Sequence, residues 1–259
     1  MMDFISKEPR NTYLKNLNRI EFVVTMACTG RCKHCSQGEH KSRESIDKII
    51  ASDAVRTIAG EYVIKSVMTF GGEPLLYPET VCEIHKAAKE MNIPQRQLIT
   101  NGYFSKDSDG IRLVAKKLIE SGVNEILLSV DAFHQESIPV EYVKEFAAAV
   151  NMPGIKLQVH PAWLVSPEDE NIYNIRTKEL LGEFNEMGIE TSEGNVIFPS
   201  GNALKYLSGY FDLSKKVLSP YTEDPCDVKA ICFSANGDIL GSNIHNKKIE
   251  KILSDYSPV

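Results

Sequence analysis

Between Arg19 and Phe198 the chain repeats one rhythm: a short run rich in β-branched and aromatic residues, then a longer stretch whose apolar residues recur three and four apart. The runs are RIEFVVT (19–25), IKSVMTF (64–70), RQLIT (96–100), EILLSV (125–130), IKLQVH (155–160) and NVIF (195–198). Helical spacing joins Ile111, Val114, Ala115 and Leu118, then Val140, Val143, Ala147 and Val150, then Leu180, Leu181, Phe184 and Met187. Pro139 opens one of these stretches, and Gly122 and Gly188 close two others. Strands joined in sequence through helices run parallel, so the pattern predicts an α/β fold, a parallel sheet covered by helices and curled into a full or partial barrel. A doubly wound open sheet is the competing arrangement. No GxGxxG follows the first run, so its dinucleotide-binding version lacks the phosphate loop.

The rhythm changes after about residue 200, where Pro199, Pro220 and Pro225 interrupt it and CFSANGDILGSN reads as a β-hairpin about Asn236-Gly237. A chain of 259 residues suits one large domain with a small addition, which places a barrel at 1–199 and an appendage at 200–259. The net charge of −6 disfavours binding to a nucleic acid backbone. MMDFISKEPRN has no basic-then-apolar order, and no window approaches the roughly 18 apolar residues of a membrane span. The expectation is a soluble, cytoplasmic chain with no membrane partner. Six cysteines in that compartment read as metal ligands or core residues before disulfides, because cytosolic thiols are kept reduced. Cys82, beside Val81 and Ile84 of a helical stretch, reads as core.

Three of the six stand in CTGRCKHC (28–35), the loop leaving the carboxyl end of the first strand. That end of a parallel sheet is where barrels and open sheets place their chemistry. Cys28, Cys32 and Cys35 can each hold one iron of a cubane cluster and leave a fourth iron open to another ligand. A zinc knot completed by His34, His40 or a remote cysteine is the structural alternative, although His34 sits between two of the cysteines, awkwardly for closing the same tetrahedron.

CxxxCxxC in this position, followed by TFGGEPLLYP (69–78), resembles the radical S-adenosylmethionine superfamily over roughly residues 20–200. The resemblance implies a partial (βα)6 TIM-like barrel carrying a 4Fe-4S cluster on Cys28, Cys32 and Cys35. Its open iron is chelated by the amino and carboxylate groups of S-adenosylmethionine, which is reductively cleaved to a 5'-deoxyadenosyl radical that abstracts hydrogen from a substrate. It also implies that Gly71, Gly72, Glu73 and Pro74 bind the methionine amino group, that His34 lies beside the adenine, and that Val196 in GNVIFPSGNA packs against it. A low-potential electron donor, flavodoxin or ferredoxin, is the implied partner.

Other candidates come from position along the strands. Ser129 and Asp131 share one face at the carboxyl end of the fourth run and suit a ribose, with a helix cap by Asp131 as the plain alternative. Asn101 ends the third run on the same rim, as a turn or as a cofactor contact. Phe133 and His134 follow the fourth run, and Gln158 and His160 alternate with Leu157 and Val159 on the fifth. These four are candidate substrate contacts, against a structural, hydrogen-bonded role for the histidines. Cys226 and Cys232 resemble the start of a SPASM or twitch appendage, but the position where a further ligand is expected is Ser242. A lid without a cluster is therefore preferred to an auxiliary site on those two thiols. The tail's likeness points to a peptide or protein side chain as substrate, with a small metabolite as the alternative and a non-catalytic zinc or iron-sulfur sensor module as the competing class.

Overall fold

The computed structural model describes residues 11–39, 42–214 and 222–258, so His40 and Pro220 lie outside the described residues. In chain order the elements are β1 (Arg19–Val23), α1 (Lys48–Glu61), β2 (Ser66–Phe70), α2 (Pro78–Glu90), β3 (Gln95–Thr100), α3 (Ser108–Ser121), β4 (Glu125–Ser129), α4 (Ala132–Gln135) and α5 (Val140–Val150). They continue as β5 (Lys156–His160), β6 (Ala162–Trp163), α6 (Ile172–Asn185), β7 (Glu190–Thr191), β8 (Asn195–Val196), α7 (Gly201–Tyr206), β9 (Ala230–Phe233), β10 (Asp238–Ile239), β11 (Ser242–Asn243) and α8 (Ile249–Asp255).

Seven strands form one parallel sheet in the order β7-β5-β4-β3-β2-β1-β9, the open sheet of a partial barrel. Register explains its two faces. Phe22, Leu98, Ile126 and Leu157 project to one side and join Ala87, Ala115, Val143 and Ala147 of the covering helices in the main core. The other side carries a row running from Cys232 through Glu21, Met68, Gln97 and Glu125 to Lys156. Local chemistry sets the helix ends: Asp47 and Asp107 accept hydrogen bonds from the first turns of α1 and α3, and Gly122 takes the left-handed conformation that closes α3.

Two expectations about strands are corrected. The sixth strand of the sheet is Glu190–Thr191; residues 195–196 pair instead with Ala162–Trp163 in a separate two-stranded sheet. Pro161 follows the last residue of β5 and has no N–H to offer, so the chain steps off the ladder there. The hairpin joins β10 to β11 and turns at Leu240-Gly241, while Asn236-Gly237 makes the preceding turn. Its first expected strand, β9, is committed to β1 in parallel register, with the Phe22 and Phe233 rings stacked at 4.7 Å. Among the described residues no helix is long and apolar enough to cross a membrane.

Candidate functional site

The loops leaving β1, β2 and β3 meet at the carboxyl rim and are tied to one another by main-chain approach. Gly72 N donates to Thr25 O at 2.8 Å and Glu73 N to Ala27 O at 2.7 Å. A Cβ on Gly71 would stand 2.4 Å from Thr25 O, and one on Gly72 would stand 2.1 Å from Ala27 O. Both glycines are thus required by the neighbouring cysteine loop, in addition to any approach by a ligand. The Glu73 carboxylate is buried. It accepts hydrogen bonds from Leu75 N and Thr100 Oγ1 through Oε1, and from Asn101 N through Oε2, at 2.7–2.8 Å. Asn101 Nδ2 in turn donates to Thr29 Oγ1 at 3.2 Å and to Cys28 Sγ at 3.6 Å. Burial raises the Glu73 carboxyl to about 7 against the opposing pull of those hydrogen bonds.

Burial also pushes the Cys28 thiol up to about 11 and raises Cys32 and Cys35. Thiols desolvated this way ionise when a metal supplies positive charge, so a soft donor set delivered by one short loop fits an iron-sulfur cluster. Among the described residues, the side chains whose ligand atoms all lie within 4.8 Å of one another are Cys32, His34 and His134; Cys28 and Cys35 stand outside that group. Thiolates at separate corners of a cubane are spaced more widely than the ligands of one ion, so the trio of cysteines fits the cluster better than a knot around a single zinc.

The Asp131 carboxylate is completely buried and organises the rim beyond β4. Its Oδ1 accepts from Phe133 N and His134 N, capping α4, and its Oδ2 accepts from Ala162 N at 3.1 Å and pairs with His134 Nδ1 at 2.7 Å. Burial alone would raise this carboxyl, but His134 outweighs it and holds the group well below the usual range. Phe133 is fully buried, its ring stacked on Tyr173 at 4.5 Å and tilted against His34 at 5.1 Å. His34 is held neutral by burial, its pKa lowered to about 4. Ser129 is buried at the end of β4, paired in register with His160.

Gln158 and His160 line a cleft of about 440 Å³ together with Leu127, Thr191, Ser192, Glu193 and Gly194. His160 is held at both ring nitrogens, by Ser192 Oγ and Asn195 Nδ2, each at 2.8 Å. Val196 on β8 is 49% exposed. Cys232 faces the sheet's inner side opposite Glu21, where burial raises it to about 12, and Cys226 is exposed beyond the sheet edge.

Sequence reasoning missed Thr100, Tyr173 and the strap Ser200–Asn202. Asn202 N donates to Cys35 O at 2.9 Å, Asn202 Nδ2 to Cys32 O at 3.2 Å and Ser200 Oγ to Ser36 O at 3.1 Å. Gly201, at φ 50°, lies so close that a Cβ would stand 2.4 Å from Ser36 O. The PSGN punctuation was the available signal, but nothing local says which loop it touches.

A family model described as the Radical SAM superfamily matches residues 22–157. The GTP 3',8-cyclase of Clostridium perfringens (strain SM101 / Type A) is 26% identical over 130 residues, 49% of this chain and 38% of that enzyme, so the chain spans well under half of that relative's length. Among solved structures, Streptococcus suis SuiB bound to precursor peptide SuiA aligns with a TM-score of 0.55 and 12% identity, over 93% of this chain and 65% of that one. Histidine-tagged anSMEcpe with bound AdoMet aligns with a TM-score of 0.57 and 15% identity, over 93% of this chain and 80% of that one. At such identities the two structures show a shared fold.

Proposed function

This chain belongs to the radical S-adenosylmethionine superfamily, and from that premise we propose that Cys28, Cys32 and Cys35 hold a 4Fe-4S cluster beside an S-adenosylmethionine framed by Gly71–Pro74, Asn101, His34, Ser129, Asp131 and Val196. When bound and reduced by a flavodoxin or ferredoxin, the pair supplies a 5'-deoxyadenosyl radical able to remove hydrogen from a substrate. The chain's own part is to bind, orient and exclude water. Glu73 has both oxygens occupied, so it holds the loops after β1, β2 and β3 in register. Asp131 is likewise occupied by four donors, which leaves Ser129 as the hydroxyl for a ribose. Residues 1–199 form the cofactor-bearing unit, and 200–259 form a SPASM/twitch-like appendage with no cluster on Cys226 and Cys232.

The substrate in this reading is a peptide or protein side chain entering the concave face beside Gln158, His160 and His134. Two cations project from the inner rows, and both are paired: Arg19 with Glu21 at 2.5 Å and Lys156 with Glu125 at 3.0 Å. A phosphorylated substrate would have to displace those carboxylates, whereas the amide and hydroxyl groups lining the cleft suit a neutral, amide-rich chain. The curated relative that acts on GTP supports the second reading, a small metabolite.

The observation that carries the cofactor reading is the wiring from Glu73 through Asn101 to the Cys28 sulfur, which brings both sequence motifs to one rim. Anaerobic reconstitution tests it. The expected result is about four irons per chain, lost with Cys32→Ala, and 5'-deoxyadenosine released on adding S-adenosylmethionine and a strong reductant. Uptake of about one metal ion, unchanged by Cys28→Ala or Cys35→Ala, would overturn the reading. Turnover of GTP with no peptide altered in mass would replace the peptide by the metabolite.

A further inference from the structure

The rim holds a second convergence that the cluster does not use. Cys32 Sγ and a ring nitrogen from each of His34 and His134 gather within 4.8 Å of one another. A tetrahedral zinc site takes sulfur at about 2.3 Å and imidazole nitrogen at about 2.0 Å, so its ligands stand roughly 3–4 Å apart and small side-chain rotations close the difference. Two further observations point the same way. His134 Nδ1 is fixed by the buried Asp131 Oδ2, and Asp131 is itself anchored by three main-chain N–H groups. That sets the tautomer and leaves His134 Nε2 to face a ligand, the arrangement by which carboxylates orient metal-binding histidines. His34 Nδ1 is buried and has no hydrogen-bond partner, a costly state that coordination would relieve. The His34 ring, 4.8 Å from that of His134, is also braced by the buried Phe133.

We propose that Cys32, His34 and His134 form a mononuclear site for a divalent transition-metal ion, with zinc the best fit, oriented by Asp131 and competing with cluster assembly for Cys32. The site needs neither Cys28 nor Cys35, so it goes beyond the function proposed above and does not depend on it. Zinc bound there withholds one of the three thiolates from iron, and a zinc-loaded chain stays without a cluster until the ion is removed.

The test uses the full chain, made metal-free and kept anaerobic, titrated with Co2+ and then Zn2+ against a chromophoric chelator. The expected result is one ion per chain, with a charge-transfer band of single-thiolate intensity. Cys32→Ser, His34→Phe and His134→Ala each weaken binding by about tenfold or more, while Cys28→Ser and Cys35→Ser change it by less than about threefold. His34→Phe keeps an aromatic ring against Phe133, and circular dichroism reports folding for every variant. One equivalent of Zn2+ also blocks iron incorporation until a chelator is added. Loss of zinc binding in Cys28→Ser and Cys35→Ser with none in the histidine variants, or no stoichiometric binding at all, overturns the proposal.

Discussion

His85 shows burial setting the chemistry of one residue. It projects from α2 against β2, wholly buried, its Nε2 2.9 Å from Thr69 Oγ1 and its Nδ1 without a partner. Burial lowers its pKa from 6.5 to about 3. Below 6.5 the unfolded chain takes up a proton that the folded chain refuses, so stability present at neutral pH is lost as pH falls from there towards 3. His85→Leu should flatten that dependence, removing about 2 kcal/mol of the loss between pH 7 and pH 5 in urea titrations. Gly72 is a second case: its position against Ala27 O leaves no room for a methyl group. Gly72→Ala should destabilise the metal-free chain by about 2 kcal/mol or more and lower the iron retained after reconstitution. Wild-type iron content in a stable Gly72→Ala chain would show that the two loops part easily.

At the scale of elements, α4 is too short to form unaided and depends on its cap. Four residues cannot offset the cost of nucleating a helix, and the Asp131 carboxylate supplies the acceptor for its first N–H groups. Asp131→Ala leaves those donors and Ala162 N unmet, so the melting midpoint should fall by about 5 °C or more by calorimetry. The strap before α7 makes the matching case for the cysteine loop. Gly201→Ala forces a Cβ onto Ser36 O, and its expected outcome is cluster loss to a chelator several times faster than wild type, with the circular dichroism spectrum unchanged. Equal loss rates would mean the cysteine loop holds its shape without the strap.

At the scale of the whole molecule, the segment after residue 222 completes the sheet that carries the site. β9 covers the outer edge of β1, and Asn11 Nδ2 donates to Leu253 O, tying the two ends of the described chain. Phe233→Ala removes the ring stacked on Phe22 and should cost about 3–5 kcal/mol in urea titrations. The first five strands were legible to within two residues, because each is a β-rich run long enough to set a pattern and is bounded by a turn or a helix start. The sixth was misplaced because Glu190–Thr191 is two residues long, too short to carry a period. The cysteine spacing and GGEP were legible as chemistry, since ligand spacing within a loop is a local property. What the neighbours of those residues do was not. That Glu73 serves Asn101, that Asp131 serves His134 and Ala162, and that His34 meets both Cys32 and His134 depend on crossovers bringing residues from different strand ends to one rim. By itself the sequence determined element type, strand direction and the donor set of the rim, because side-chain periodicity and ligand spacing act over a few residues. Only the tertiary structure decided which polar groups are already spent on one another, because burial and hydrogen-bond partners are set by contacts between segments far apart in the chain.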